Sequence, residues 1–220
     1  MKSPLRILVI NPNSTQAVTD GLDTAMARFR ASGNVTIDCV TLHEGPPGIE
    51  SQQDADGVIA PLVARVRRHE AEYDAFVIAC YSDPGIHSVR EVTSKPVLGI
   101  AECGLMTAMT MGHRIGVIAI LRKSIPRHLR YAAGMGVAGR IVAELPLEMG
   151  VTELGDESRT MARLVEVGRT LRERHGAEVL VLGCAGMAAY RARVEQQVGV
   201  PVVDPAQAAV AMAIGRAMLA

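Results

Sequence analysis

The chain has 220 residues, with 23 Lys plus Arg set against 23 Asp plus Glu, no Trp, two Phe and four Tyr. A formal net charge of zero supplies no field to draw nucleic acid or an anionic membrane, and so few aromatics leave no stacking platform for bases. The length is enough to bury a sizeable core as one large domain or two small ones. No apolar run approaches a membrane span, and the opening MKSPLRILVI is too short an apolar run for a secretory signal.

Residues 6–10 predict a strand that runs into Asn11-Pro12-Asn13-Ser14-Thr15. This polar cluster precedes an amphipathic run over 18–29, which predicts a helix with Asn13 or Ser14 as its cap. Such a strand-to-helix turn also exposes amide N–H groups suited to a carboxylate or a developing oxyanion. Residues 35–42 predict a second strand. Gly45-Pro46-Pro47-Gly48 then reads as a rigid loop, able to reach over a crevice, and after Ile49-Glu50-Ser51 a helix is predicted to about residue 72.

The stretch 75–102 organises the rest of the chain. Residues 75–79 form an apolar run rich in β-branched and aromatic residues, the pattern of a buried strand, and Cys80 sits at its carboxyl end. Ser82-Asp83-Pro84 supplies capping oxygens and a Pro suited to a first helical position, predicting a helix over about 85–92. Asp83 reads as a cap rather than a base, and His87 as a surface helix residue. A further strand is predicted from Pro96 to residue 100, with a helix over 103–111. In open α/β sheets, ligands bind beyond the carboxyl ends of strands. Cys80 is therefore expected where chemistry would occur.

Residues 114–120 predict another strand, followed by Arg122-Lys123-Ser124 and a helix over 125–133. Arg122 and Lys123 could hold an anionic substrate or simply face solvent. Gly134–Gly139 matches GxGxxG but ends a helix and precedes a strand at 140–145, whereas a dinucleotide site must follow a strand and open a helix. Helix-stop glycines explain it. A long helix is predicted over 156–175, and an Ala- and Met-rich helix, whose apolar stripe reads as core, closes the chain from Pro205 to about residue 219.

Within 178–207 the pattern of the organising stretch returns: an apolar run at 179–183, Cys184 where Cys80 stood, and Pro201-Val202 where Pro96-Val97 stood. Residues 115–119 echo 7–11 at nearly the same offset. This indicates an internal duplication, with two similar α/β lobes that each end one strand in a cysteine. The expected division assigns residues 1–101 and a closing helix at about 206–220 to one lobe, and 102–205 to the other, with the active site between them.

Four separated cysteines without a secretory signal are expected as free thiols in a reducing cytoplasm; none has CxxC spacing, and there is no HExxH. Cys39 and Cys103 read as inert core residues. Cys80 and Cys184, each before an expected helix start that would favour thiolate, read as reactive.

The blocks INPNST, GPPGIES, IACYSDPG, PVLGIAE, GCAGM and PVVDP span nearly the whole chain, which through them resembles the aspartate/glutamate/hydantoin racemase superfamily, hydantoin racemases most closely. The resemblance implies a two-lobed α/β fold of mainly parallel sheets flanked by helices, no cofactor or metal, a small-molecule substrate and a homo-oligomer. It also implies Cys80 and Cys184 as the catalytic acid–base pair, with Asn13, Ser14, Ser82, Ala185 and Gly186 holding substrate. The chain departs from the hydantoin-racemase pattern at Ile120-Leu121-Arg122-Lys123, where those enzymes are Thr-rich, which bears on the substrate rather than on the cysteines.

Two cysteines suit racemisation because a proton must leave one face of a carbon beside a carbonyl and another must return to the opposite face. The expected activity is a cofactor-independent racemase or epimerase acting on a 5-substituted hydantoin, on allantoin, or on an amino acid of Asp/Glu type. The alternatives are an arylmalonate decarboxylase-like or maleate isomerase-like enzyme on the same fold, or a non-catalytic bilobal binding protein.

Overall fold

A computed structural model describes residues 4–31 and 33–219; residues 1–3, 32 and 220, included in the lobe division above, lie outside the described residues. The first half runs β1 (Leu5–Asn11), α1 (Gln16–Arg30), β2 (Val35–Thr41), α2 (Gln52–Gly57), α3 (Ile59–His69), β3 (Ala75–Ile78), α4 (Ile86–Arg90), β4 (Val97–Gly99) and α5 (Ile100–Met109). The second runs β5 (Ile115–Ala119), α6 (Ile125–Gly134), β6 (Ile141–Pro146), α7 (Glu157–His175), β7 (Val179–Leu182), α8 (Arg191–Val198), β8 (Val202–Val203) and α9 (Pro205–Met218).

The strands form two four-stranded parallel sheets of the same order, β2-β1-β3-β4 and β6-β5-β7-β8. The central strands are buried on both faces, which is why β3 and β7 appear in the sequence as unbroken apolar runs. Alternation sorts their side chains: Leu8, Ile10, Phe76 and Ile78 pack in a cluster with Leu62 and Val66 of α3, while Ile7, Val9 and Val77 join a second cluster. That second cluster also contains Val117, Val181 and Leu182, so one continuous core passes through both sheets.

Two helices, α5 at the middle and α9 at the end of the chain, pack between the sheets. α9 packs on β1, β3 and β4, whereas α5 packs on β5, β7 and β8, and the two helices pack on each other. Equivalent hydrogen bonds close the strand ends that carry the cysteines: Ala79 N–H donates to Ile10 O and Gly183 N–H to Ile118 O, each at 2.8 Å.

Several local expectations change. The single helix expected to residue 72 restarts at Val58 as α3, which places Pro61 in a first turn, where its missing N–H and its ring are tolerated. The cap of α1 is Thr15; Asn13 contributes by accepting the Thr15 N–H through Oδ1 at 2.9 Å. α4 is only five residues long and begins after Gly85 at φ +65°, so Pro84 is not its first residue. Gly134 does end α6 and a 3₁₀ turn leads into β6, the arrangement that removes the GxGxxG match from dinucleotide binding. No helix among the described residues is long and apolar enough to cross a membrane.

Candidate active site

The order β2-β1-β3 sends the connections after β1 and β3 in different directions, which opens a crevice at the carboxyl ends of neighbouring strands. The second sheet repeats this between β5 and β7. The four loops that follow these strands, carrying Asn13, Cys80, Ser124 and Cys184, converge on one cleft. Its lining includes Asn13, Ile49, Cys80, Tyr81, Ser82, Ser124, Arg127, His128, Val151, Cys184 and Ala185.

The Asn13 loop is held by a buried polar network. Asn11 donates through Nδ2 to Asn13 Oδ1 and Thr19 Oγ1, both at 3.1 Å, and Thr19 and Thr41 share a hydroxyl contact at 2.6 Å. Oδ1 of Asn13 is thus engaged inside the loop, and its side chain lines the cleft. Ser14 sits on the same loop outside the cleft lining, its amide donating to Pro46 O at 2.9 Å.

The Gly45–Ser51 segment runs between the Asn13 loop and the second half of the chain. A Cβ on Gly45 would lie 2.2 Å from Pro12 O, so only glycine permits this approach to the Asn13 loop. Thr15 Oγ1 donates to Pro47 O, Ile49 lines the cleft, and Glu50 reaches the other sheet by accepting the Val151 N–H and pairing with Lys123 Nζ at 3.1 Å.

This geometry decides between the two readings of the basic pair. Neither Arg122 nor Lys123 lines the cleft: Arg122, its side chain 75% exposed, pairs with Glu148, and Lys123 pins the Glu50 segment. The cation in the cleft is Arg127 on α6, only 8% exposed, whose Nε donates to Ser82 Oγ at 2.9 Å. Beside it His128 Nδ1 bonds Glu144 Oε1 at 2.5 Å, and Tyr81 stands edge-on to the His128 ring. The basic spacing along α6 was the one signal for Arg127 in the sequence, and it does not distinguish Arg127 from exposed neighbours.

Cys80 and Cys184 are free and partly accessible, one from each sheet. Both thiols are pushed up, against the expectation of a helix start favouring thiolate. Burial raises Cys80 to about 12, opposed by the Arg127 charge and a Ser82 hydrogen bond and reinforced by Cys184 and Asp83. Burial raises Cys184 to about 11, opposed by the Gly186 amide, which points at its sulfur. Cys80 precedes a turn rather than a helix, and Cys184 precedes a 3₁₀ turn, Ala185–Tyr190, so neither has a full helix dipole to offset desolvation. Gly186 therefore serves the cysteine itself. A Cβ there would crowd Leu154 at 3.1 Å.

Asp83, at φ +43°, turns its carboxylate away from α4 and onto the first amides of α5, accepting from Ala101 N at 2.9 Å and Glu102 N at 2.8 Å. It caps, as expected, but caps a different helix. Burial raises its carboxyl to about 7. Cys39 and Cys103 lie outside the cleft lining, both raised by burial. The described residues contain no cluster of three or more His, Cys, Asp or Glu suited to a metal ion.

Residues 7–213 match the family described as Asp/Glu/Hydantoin racemase. The hydantoin racemase of Pseudomonas sp. (strain NS671) is 36% identical over 211 residues, covering 95% of this chain and 84% of that protein. That of Paenarthrobacter aurescens is 34% identical over 209 residues, covering 93% and 88%. Among solved structures, the allantoin racemase from Pseudomonas fluorescens is similar with a TM-score of 0.93 at 30% identity, covering 98% of this chain and 92% of that one.

Proposed function

The chain belongs to the Asp/Glu/hydantoin racemase family and is a racemase, and from that premise we propose that it inverts a carbon beside a carbonyl by moving protons through Cys80 and Cys184. The substrate proposed is a 5-substituted hydantoin or a related ring such as allantoin. The observation that carries this reading is that two free thiols, one from each sheet, open on the same cleft.

In one direction a Cys80 thiolate takes the proton, the C–H electron pair moves into the enolate, and negative charge develops on the carbonyl oxygen. The Cys184 thiol then returns a proton to the opposite face, leaving its own sulfur as thiolate. The reverse direction exchanges the roles. Asn13 Nδ2 and the amide of Ala185 are the donors offered to the developing oxyanion. The cleft lining carries no carboxylate to repel that charge.

The test is a panel of single enantiomers of 5-substituted hydantoins, allantoin and amino acids in D₂O, followed by NMR and polarimetry. Loss of optical rotation with one deuterium entering the inverted carbon is expected for a ring substrate. Inversion of free amino acids alone would overturn the substrate, and CO₂ release from an arylmalonate without racemisation would overturn the reaction.

A further inference from the structure

One charged group in the cleft has no part in the steps above. Arg127 is buried, donates through Nε to Ser82 Oγ, and leaves Nη1 buried with no hydrogen-bond partner. No carboxylate among the described residues forms an ion pair with it; Asp54 on α2 and Glu144 on β6 act only at a distance, and Glu144 is already bonded to His128. Arg130 on its own helix adds a like charge. A guanidinium held this way is costly to bury unless an anion completes it.

A two-thiol racemase supplies that anion. One cysteine must be thiolate while the other is thiol, so the working cleft always holds one negative charge, on sulfur before proton transfer and on the substrate oxygen at the enolate. Ser82, which accepts from Arg127, sits between the guanidinium and Cys80. Cys184 has the Gly186 amide instead and no comparable cation.

We propose that Arg127 is the counter-ion of the Cys80 thiolate, acting through the Ser82 hydroxyl as a positioning residue that favours the thiolate over the thiol at Cys80. This rests on the two-cysteine reading. The other groups facing Cys80 are Cys184 from the opposite sheet and Asp83 from its own loop, and both oppose its ionisation. Arg127 is thus the cation that offsets them. It follows that the single cleft charge is balanced without help from the substrate, which suits a neutral ring rather than a carboxylate.

The experiment compares wild type with Arg127→Gln, Arg127→Lys and Ser82→Ala. The rate of iodoacetamide modification at Cys80 and at Cys184 is followed against pH by peptide mapping, and kcat/KM for a hydantoin is measured over the same range. Arg127→Gln should slow Cys80 modification near neutral pH by about tenfold, the loss of thiolate that follows when a thiol pKa rises by about one, while Cys184 changes little. The acidic limb of kcat/KM should move up with it, so that activity returns in alkali. Arg127→Lys should restore most of both, and Ser82→Ala should move Cys80 in the same direction as Arg127→Gln. If Arg127→Gln does not fold, the lysine and alanine variants carry the comparison.

An unmoved Cys80 profile, or an equal change at both cysteines, overturns the proposal. So does a rise in KM confined to a carboxylate-bearing substrate with modification unchanged, which would make Arg127 a substrate-binding residue. A wild type that racemises no compound in the panel refutes the proposed function separately, since the modification profile needs no turnover.

Discussion

Cys80 and Cys184 are the same chemical group in two different surroundings, and the proposed proton transfers rest on both. Desolvation raises both, but a cation and a hydroxyl oppose it at Cys80, whereas a backbone amide opposes it at Cys184. Replacing either by Ser nearly keeps the size and removes the thiol. Cys80→Ser and Cys184→Ser should each lower racemisation by at least about a hundredfold, the lower edge of what a positioned acid or base contributes, with circular dichroism unchanged. Each variant retains one base and should still exchange the reacting-carbon proton of one enantiomer in D₂O. A variant that racemises at the wild-type rate removes that cysteine from the pair. The basic residues after β5 lead to the opposite expectation. Arg122 is a solvated partner of Glu148, and such pairs contribute little, so Arg122→Ala should leave kcat and KM for the ring substrate within about twofold. A KM increase beyond that would bring Arg122 into the site after all.

At the scale of elements, the two halves solve one problem in two ways. α9 begins at Asp204, whose own side chain accepts the Gln207 N–H at 2.7 Å. At the corresponding start of α5 stands Gly99, and the missing carboxylate arrives from Asp83: a Cβ on Gly99 would lie 2.1 Å from Asp83 Cγ. Both residues have extended backbone, φ −92° at Gly99 and −82° at Asp204, so the cap can in principle be moved. Asp83→Gly should cost about 1 kcal/mol in urea unfolding, the usual worth of a cap. Gly99→Asp alone should cost more by colliding with Asp83. The double variant should recover most of the loss, a coupling that double-mutant cycles read directly. Strict additivity would show that the two sites do not share the position. This exchange also marks what the sequence could reveal. The oxygen-rich Ser82-Asp83 turn is legible as a cap, but its target lies 18 residues on, and only tertiary packing selects it. Arg127 is hidden for a similar reason, since α6 carries Arg127 and Arg130 and the direction of each depends on what the helix packs against.

For the whole molecule, parallel strands buried on both faces leave continuous apolar runs, so the repeated strand–cysteine pattern and the two-sheet architecture were legible, as was the role of the closing helix as core. The burial that creates this core also sets how the fold answers to pH. The four free cysteines all titrate higher in the folded protein, Cys39 and Cys80 at about 12, Cys184 at about 11 and Cys103 higher still, each chiefly through desolvation. An unfolded thiol titrates near about 8.5. Above that pH the unfolded chain loses protons that the folded chain keeps, so stability falls as pH rises, by about 1.4 kcal/mol per thiol for each pH step of about one above the unfolded value. Asp83, raised to about 7, and Asp204, raised to about 6 by burial, act in the same direction at lower pH, their contribution being lost as pH climbs through those values. Asp54 and Glu178, both lowered, oppose this only in the acid range where carboxylates normally titrate. The urea midpoint should therefore drop steeply between about pH 7.5 and 9.5, and a Cys39→Ala/Cys103→Ala variant should show a shallower drop over the same range. A midpoint constant across that range would mean that the thiols ionise without unfolding the protein. If a cysteine thiolate abstracts the proton, as proposed, the same rise in pH populates it, so catalysis should improve with alkali until the fold gives way, with the optimum set where the two curves cross.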